Sequence, residues 1–217
     1  MKSASSHAGT TIVDYGGGNL TSVARAVSYL GFECVISGQA EKILKADRII
    51  FPGVGAAGSA MKTMKEKGID EALRTVFVSG RPMLGICVGS QIIMEKSAEN
   101  NTACLALIKG EVKAFSETMV SEDQGFLKVP HMGWNTLSIV REHPLFFGIQ
   151  KKDAFYFVHS FYPVPENHEN IFGKTEYGIE FASAVGEKNL FATQFHLEKS
   201  GKPGLLILNN FCGWSPC

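Results

Sequence analysis

A cysteine between two glycines, at a predicted strand-to-helix turn, is the strongest chemical signal in this sequence. Cys87 stands between Gly85 and Gly89, before the helix-compatible run 92–94. Gly-x-Cys-x-Gly is the cysteine form of the nucleophile elbow, whose tight turn exposes the central side chain while glycines avoid Cβ clashes. The following helix favours a thiolate and offers N–H groups to an oxyanion. The pattern predicts a cysteine nucleophile, although a free cysteine is as often a small buried hydrophobe.

A histidine and a glutamate near the C-terminus could supply the base that such a nucleophile needs. His196 and Glu198 follow the apolar run 191–195. In an extended segment, residues two apart point the same way, so Glu198 would lie beside His196 and orient it. Alone, such a pair is usually a surface feature. Together with the elbow it predicts a triad of Cys87, His196 and Glu198.

The first half of the chain alternates strand-like and helix-like patterns that must position these side chains. The predicted strands cover residues 10–15, 33–37 and 47–51. Helical spacing runs over 20–30, with Asn19 as the N-cap, and over 61–78, and the elbow helix is predicted to continue over 92–95. This alternation indicates parallel βα units, whose ligand-binding loops gather at the carboxyl ends of the strands.

From residue 105 onward the pattern changes to short strand-like runs separated by turns. These runs cover residues 105–108, 111–115, 155–158, 171–172, 181–185 and 190–194. They predict antiparallel strands added to the parallel core, and a helix over 202–211 is predicted to close the chain.

Two glycine-rich turns follow the first and third predicted strands. The turn 16–18 lacks a phosphate-binding spacing, so a close backbone approach to a partner or ligand is favoured over phosphate binding. The 52–55 loop (Pro52-Gly53-Val54-Gly55) is expected beside the elbow. There its N–H groups would serve an oxyanion, or its glycines would only make a turn.

Two aromatic stretches contain histidines outside the predicted triad. Residues 129–135 place His131 and Trp134 in a loop bounded by proline and glycine, where Trp134 could be an interface anchor or part of the core. His159 lies on the aromatic strand 155–162, where a hydrogen-bonded structural histidine is expected more often than a catalyst.

Composition restricts the classes of function. The chain has 217 residues, which predicts a single domain spanning 1–217, with residues 1–9 as a disordered extension. Lys+Arg and Asp+Glu balance at 21 each, which argues against nucleic-acid binding, and no apolar run approaches the length of a membrane span. The five cysteines are scattered, so neither disulfides nor a zinc site is expected, and a reducing cytoplasmic setting is predicted.

With these motifs taken together, the chain resembles the class I (triad) glutamine amidotransferases from Ile12 to Phe211. The motifs general to that class are Pro52-Gly53-Val54-Gly55, Gly85-Ile86-Cys87-Val88-Gly89-Ser90-Gln91 and Gln194-Phe195-His196. Within the class it is most similar to the glutaminase subunits of imidazole glycerol phosphate synthases. That similarity is carried by Asp14-Tyr15-Gly16-Gly17-Gly18-Asn19, Lys128-Val129-Pro130-His131-Met132-Gly133-Trp134-Asn135, Phe155-Tyr156-Phe157-Val158-His159-Ser160 and Glu198-Lys199-Ser200.

The resemblance implies a flavodoxin-like α/β fold and hydrolysis of L-glutamine through a thioester on Cys87, with His196 as acid and base and Glu198 as its orienter. It implies that the backbone N–H groups of the oxyanion hole, after reorientation of the 52–55 loop, belong to Val54, Gly55 and Val88. It implies that the α-amino and α-carboxylate groups of glutamine are held by Gln91, Glu99, Ser160 and Phe161. No metal and no organic cofactor is expected.

The resemblance also implies a partner, a (β/α)₈-barrel cyclase that forms a heterodimer with this chain and uses its ammonia to make imidazole glycerol phosphate in histidine biosynthesis. Segments matching the cyclase-facing side contain Asn19, Met132 and Trp134. The family's usual His-Pro-Glu is His196-Leu197-Glu198 here, for which a looser His–Glu geometry is expected. Together with the replaced glycines at 104–108 and the unmatched residues 1–9, this departure keeps open a different ammonia acceptor, such as a sugar amidotransferase of surface-polysaccharide synthesis. Further alternatives are a non-catalytic binding protein that keeps the fold and an independent γ-glutamyl hydrolase.

Overall fold

A computed structural model describes residues 9–116, 118–119 and 127–216. Most of the predicted N-terminal extension, residues 1–8, and Cys217 lie outside the described residues. The helices are α1 (Leu20–Tyr29), α2 (Ala40–Lys45), α3 (Ala57–Glu66), α4 (Ile69–Val78), α5 (Val88–Ile92) and α6 (Gly201–Gly213). The strands are β1 (Thr10–Val13), β2 (Cys34–Ser37), β3 (Arg48–Gly53), β4 (Met83–Cys87), β5 (Lys96–Ser97), β6 (Thr102–Ala103), β7 (Gly110–Ala114), β8 (His131–Thr136), β9 (Ser138–Ile139), β10 (Ala154–His159), β11 (Phe161–Pro165), β12 (Ile171–Glu176), β13 (Glu180–Glu187) and β14 (Leu190–Thr193).

A mixed sheet of eight strands forms the centre of the molecule, in the order β2-β1-β3-β4-β14-β13-β12-β9. The five strands from β2 to β14 run parallel, and β13, β12 and β9 extend the sheet in antiparallel fashion. Two smaller sheets pair β8 with β10 and join β11, β7, β5 and β6. The predicted fold class, a parallel core flanked by helices with antiparallel strands added by the C-terminal half, is confirmed.

The central strands are buried because their residues are apolar on both faces of the sheet. β3 and β4 are buried along their whole length, as expected for parallel strands covered on both sides. The largest fully buried side chains come from both halves of the chain and include Tyr15, Phe51, Phe155, Phe157, Phe191, Phe195 and Phe211. No helix among the described residues is long and apolar enough to cross a membrane.

The elbow helix and the run that follows it differ from the sequence prediction. α5 ends at Ile92 instead of continuing to residue 95, and residues 105–108 form no strand. The reason is that this run satisfies the backbone carbonyls at the end of α5. Leu105 N–H donates to the Ile92 carbonyl at 2.8 Å, and Leu107 N–H donates to the Ile93 carbonyl at 2.8 Å.

The prediction of a loop over residues 129–135 is also wrong for most of the segment. β8 pairs in antiparallel register with β10, and Trp134 lies opposite Tyr156. Alternation along β8 buries His131 and leaves Met132 and Trp134 62% and 60% exposed. Trp134 is therefore not part of the core. The sequence does not show a usual strand pattern here because this strand exposes its apolar side chains.

Candidate active site

Cys87 sits at the junction between β4 and α5, and its backbone is strained. Its φ is 55° and its ψ is −108°, a region that non-glycine residues rarely adopt. The side chain is 4% exposed and lines a cavity of about 430 Å³. Val88 is the first residue of α5, so its N–H group has no partner within that helix.

The glycines on either side of Cys87 are required by close backbone packing. A Cβ added at Gly89 would lie 2.2 Å from the Phe51 carbonyl oxygen, and one added at Gly85 would lie 2.8 Å from the Gly89 oxygen. Rigid backbone atoms cause both clashes, so a neighbouring side chain cannot move to relieve them. The Gly-x-Cys-x-Gly spacing is therefore a packing requirement of this turn.

Replacement of Gly89 by alanine should destabilise the protein strongly. The added methyl group would overlap the Phe51 carbonyl, and we expect the free energy of unfolding to fall by about 1–3 kcal/mol or more. Urea denaturation measures this. Gly213→Ala is the matched control, since no atom lies within 4 Å of a Cβ at Gly213. Equal stability of the two variants would contradict the packing argument.

Strand pairing brings His196 to the elbow. β14 pairs in parallel with β4 and Thr193 lies opposite Ile86, so the residues after the two strands emerge side by side. The backbone of His196 is held there by a hydrogen bond from its backbone N–H to the Tyr156 carbonyl at 2.9 Å. The run 190–194, expected among the antiparallel additions, thus also belongs to the parallel core.

His196 and Glu198 form a buried hydrogen-bonded pair. Nδ1 of His196 lies 2.8 Å from Oε1 of Glu198, and the two side chains are 2% and 1% exposed. The segment is not extended, contrary to the prediction. The two residues meet because His196 immediately precedes a 3₁₀ turn, Leu197–Lys199.

Leucine in place of proline does not loosen this pair, contrary to expectation. Leu197 is completely buried, and its carbonyl accepts a hydrogen bond from the Ser200 N–H at 3.2 Å. The Ser200 hydroxyl donates to the His196 carbonyl. Burial and this hydrogen bonding fix the turn in place of a proline ring.

The electrostatics of His196 suit a proton carrier. Burial alone would lower its pKa, but interactions with Cys87 and Glu198 outweigh burial and raise the pKa to about 9. Its Nε2 atom is buried, and the interaction with Cys87 falls on this nitrogen because Nδ1 contacts Glu198. Cys87, His196 and Glu198 thus lie together, and the two partners favour the protonated form of the imidazole.

The cavity collects most of the side chains and backbone groups predicted from the sequence. Its lining residues include Val54, Gly55, Cys87, Val88, Gln91, Glu99, Ser160 and Phe161. Four further lining residues, Pro130, Val158, His159 and Lys199, were not predicted as site residues. His196 and Glu198 lie outside the lining.

A second glutamine, Gln194, contacts Ser90, Gln91 and Cys87 beneath the site. It was not predicted as a site residue. Its Oε1 accepts hydrogen bonds from Ser90 Oγ at 3.3 Å and Gln91 Nε2 at 3.2 Å, and its Nε2 lies 3.8 Å from Cys87 Sγ. Gln91 Nε2 also donates to the Phe161 carbonyl at 3.1 Å. Only its place beside His196 in the Gln194-Phe195-His196 motif could have indicated this role.

Glu99 links the cavity to the helix that follows the 52–55 loop. Its Oε2 accepts a hydrogen bond from the Ala57 N–H, the first residue of α3, at 2.6 Å. No described group hydrogen-bonds to Oε1 of Glu99. The carboxylate therefore holds the start of α3 with one oxygen and can present the other to a ligand.

A chain of hydrogen bonds fixes two buried histidines near the cavity. His159 Nδ1 lies 2.8 Å from the Phe161 carbonyl, so Nδ1 carries the proton and Nε2 accepts. His131 Nδ1, 3.2 Å from His159 Nε2, is then the donor. Burial lowers the pKa of His131 to about 4 and that of His159 to about 3. Both are neutral structural groups, as expected for His159.

Acid should destabilise the protein through its neutral histidines. Burial lowers the pKa of His143 to about 4 as well. Histidines in the unfolded chain have a pKa of about 6.5 and become protonated at a pH where the buried histidines of the native state stay neutral. The free energy of unfolding should therefore fall as pH drops from about 6.5 towards 4. The slope is about 1.4 kcal/mol per pH unit for each such histidine.

Urea titrations at several pH values between 7 and 5 measure this loss. His143 stacks on Phe191 at 4.4 Å and accepts a hydrogen bond from the Leu145 N–H, away from the cavity. His143→Asn keeps an acceptor and should show a shallower loss of stability than the wild type. An identical slope would contradict the assignment.

The residues predicted to face a partner lie on two different elements, β8 and the start of α1. Met132 and Trp134 project from the same side of β8, and the Trp134 ring packs edge-on against Tyr156 at 5.9 Å. Asn19 is half-buried at the start of α1, where its side chain makes no capping hydrogen bond. No hydrogen bond joins Asn19 to the β8 residues in the described part of the chain.

The other described cysteines are free. Burial raises the pKa values of Cys104 and Cys212 to about 11, so these thiols are inert. Within residues 9–116, 118–119 and 127–216, no group of three or more His, Cys, Asp or Glu residues could hold a metal ion.

The chain is similar in sequence to a known family and to named members of it. Residues 11–213 match the family model described as glutamine amidotransferase class-I. The chain is 48% identical over 200 residues to imidazole glycerol phosphate synthase subunit HisH of Nitratidesulfovibrio vulgaris, covering 92% of this chain and 93% of the relative. It is 44% identical over 211 residues to the protein of the same name from Neisseria meningitidis, covering 94% and 99%.

Solved structures share the fold at low sequence identity. A putative GMP synthase component from Thermoplasma acidophilum superimposes with a TM-score of 0.70 at 18% identity, covering 95% of this chain and 93% of that one. PurLQS from Thermotoga maritima gives a TM-score of 0.73 at 18% identity, covering 94% and 97%. At this identity the likeness concerns the fold alone.

Proposed function

The chain belongs to the class-I glutamine amidotransferase family, and from this premise we propose that it is the glutaminase subunit of an imidazole glycerol phosphate synthase. It hydrolyses L-glutamine and passes the ammonia to a (β/α)₈-barrel cyclase subunit, with which it forms a heterodimer in histidine biosynthesis. The observation that carries the proposal is the 44–48% identity, over nearly the full length, to relatives that bear this subunit's name.

The reaction is assigned to the three residues that meet at the elbow. The Cys87 thiolate attacks the side-chain amide carbon of glutamine, and the carbonyl oxygen becomes an oxyanion. The C–N bond breaks as His196 gives its proton to the nitrogen, so ammonia leaves and a γ-glutamyl thioester remains. His196 then takes a proton from water, whose oxygen attacks the thioester carbon, and glutamate leaves as the thiolate re-forms. The raised pKa of His196 supports the first proton transfer.

The oxyanion is assigned to backbone N–H groups at the rim of the cavity. Val88 N–H adjoins the nucleophile, and Val54 and Gly55 lie on the 52–55 loop that lines the same cavity. Neither Val54 N–H nor Gly55 N–H donates a hydrogen bond to another described residue. Free donors at this place support the assignment.

Glutamine selection is assigned to further residues that line the cavity. Glu99 is assigned to the α-ammonium group, and Gln91 with the backbone of Ser160 and Phe161 is assigned to the α-carboxylate; all four residues line the cavity. The hydrogen bond from Gln91 to the Phe161 carbonyl ties these groups together. Recognition at two points explains selection of glutamine over simple amides.

Glu99→Gln should raise the KM for glutamine by about tenfold or more with a much smaller change in kcat. The amide oxygen can still accept from the Ala57 N–H, so the start of α3 is kept while the charge that pairs with the α-ammonium is lost. Steady-state glutamate release measures both constants. An unchanged KM, or a fall in kcat alone, would contradict a substrate-binding role. Glu95→Gln, on an exposed residue that accepts from the Gly110 N–H, is the control.

Partner binding is assigned to the β8 face and the start of α1, with Met132, Trp134 and Asn19 as the contacting residues. Two large apolar side chains exposed side by side on one strand support an interface there. We further propose that residues 1–217 form a single domain, since one buried apolar cluster contains side chains from β1 to α6. The free thiols and the need for a thiolate support a cytoplasmic location.

The test is glutamate release from L-glutamine by the chain alone, and then with the cyclase and its phosphoribulosyl carboxamide nucleotide. We expect low activity alone and a rise of about tenfold or more in the mixture, because a misplaced oxyanion donor is worth about 10²–10³ in rate. No rise, with Cys87 intact and alkylatable, would overturn the cyclase assignment. High activity of the isolated chain would indicate an independent hydrolase.

A further inference from the structure

A buried hydroxyl without a hydrogen-bond partner lies behind the 52–55 loop. Tyr15 is 1% exposed, and its hydroxyl makes no hydrogen bond to any residue that the structure describes. An unpaired buried hydroxyl is costly, and phenylalanine would fill the same space without that cost. The hydroxyl is therefore explained best by a partner that another state of the protein supplies.

The hydroxyl lies directly against the loop that carries the assigned oxyanion donors. A Cβ added at Gly53 would lie 2.0 Å from the Tyr15 oxygen and 2.9 Å from Val88 Cβ. Gly53 is the last residue of β3 and pairs with Cys87 of β4, so only Val54 and Gly55 of the predicted 52–55 loop lie outside a strand. Tyr15 thus touches the loop on its buried side, while Val54 and Gly55 line the cavity.

The glycine turn after Tyr15 packs against the same loop. A Cβ at Gly17 would lie 3.1 Å from the Val54 oxygen and 3.6 Å from the Tyr15 ring, and one at Gly18 would lie 3.3 Å from the Pro52 oxygen. The Pro52 and Val54 carbonyls therefore face glycine backbone, while Gly53 packs against Tyr15 and Val88.

We propose that the Tyr15 hydroxyl is a positioning group for the oxyanion hole, donating a hydrogen bond to the Gly53 carbonyl when the Gly53–Val54 peptide turns. The N–H and C=O of a trans peptide point in opposite directions. Capture of the Gly53 carbonyl on the buried side directs the Val54 N–H into the cavity, where the oxyanion forms. The inference rests on the proposed glutaminase function.

Tyr15 remains a donor under all working conditions. Burial, and secondarily the neighbouring Cys87, raise the pKa of its hydroxyl far above the ordinary value. The proton is therefore available to a carbonyl even when the nucleophile is a thiolate.

The test compares Tyr15→Phe with Thr10→Val, in the complex with the cyclase and its nucleotide. Thr10 is the matched control, since its hydroxyl is also buried and it lies at the opposite end of β1, beside Cys212 and away from the elbow. We expect Tyr15→Phe to lower kcat for glutamine by about tenfold to a hundredfold with little change in KM. Its thermal midpoint should be unchanged or higher. Thr10→Val should keep its kcat.

The γ-aldehyde analogue of glutamine separates failure of this inference from failure of the proposed function. Cys87 captures the aldehyde as a tetrahedral hemithioacetal, whose oxygen occupies the oxyanion hole. We expect Tyr15→Phe to weaken aldehyde binding by about tenfold or more while L-glutamate binds equally. Equal aldehyde affinity in wild type and variant, or a lower thermal midpoint that accounts for the lost activity, overturns the Tyr15 role alone. No covalent capture by the wild type overturns the glutaminase function and this inference together.

Discussion

Replacement of Cys87 by serine should reduce glutamine-dependent glutamate release by about 10³-fold or more while leaving glutamine binding intact. A serine hydroxyl is far less acidic than a thiol. Its contact with His196, which in the wild type raises the pKa of that histidine, would therefore not convert the hydroxyl into an ionised nucleophile. The residues assigned to the α-amino and α-carboxylate groups lie elsewhere in the cavity. Calorimetric titration with glutamine should therefore give an affinity within about threefold of the wild type, and steady-state glutamate release gives the rate.

Cys34→Ser is the matched control for this experiment. Cys34 is a partly buried free thiol whose sulfur lies 3.7 Å from the Ala24 carbonyl oxygen, on β2 and away from the cavity. It should keep full activity. If Cys87→Ser had nearly wild-type activity in the cyclase complex, the assignment of Cys87 as the nucleophile would be contradicted. Loss of glutamine affinity together with activity would mean that the substitution damages the cavity itself.

The elbow and the catalytic pair could be predicted from sequence because their signals are local. The glycines around Cys87 are required because neighbouring backbone leaves no space for a Cβ. At Gly89, for example, a Cβ would lie 2.2 Å from the Phe51 carbonyl oxygen. The parallel strands could be predicted because both their faces are buried, which requires continuous apolar runs. In each case, neighbouring residues in the sequence carry the physical requirement.

The remaining features of the site depend on contacts between distant residues. The hydrogen bond from the Ala57 N–H to Glu99, and the unpartnered hydroxyl of Tyr15 beside Gly53, leave no local pattern in the sequence. The prediction of a strand at 105–108 failed for the same reason, since the end of α5 uses its N–H groups. The expected loosening at Leu197 failed because burial fixes the turn without proline.

Replacement of Glu198 by glutamine should lower kcat by about 10²-fold or more and shift the alkaline limb of the pH–rate profile to lower pH. The amide oxygen can still accept from His196 Nδ1, 2.8 Å away in the native pair, but the negative charge that helps raise the pKa of His196 to about 9 is lost. Departure of ammonia needs protonated His196. The wild-type rate should therefore fall only as pH rises through about 9, and the variant's rate should fall earlier.

The free energy of unfolding provides an independent readout of the same pair. A histidine whose pKa rises on folding stabilises the native state fully below its unfolded value, about 6.5, and this contribution is lost as pH rises through the folded value. The wild type should lose stability between these limits, and Glu198→Gln should lose less. Glu180→Gln, which breaks a surface pair with Lys174 at 2.7 Å, is the control and should alter neither profile. Coincident pH–rate profiles for wild type and Glu198→Gln would mean that Glu198 does not tune His196, whatever the change in kcat.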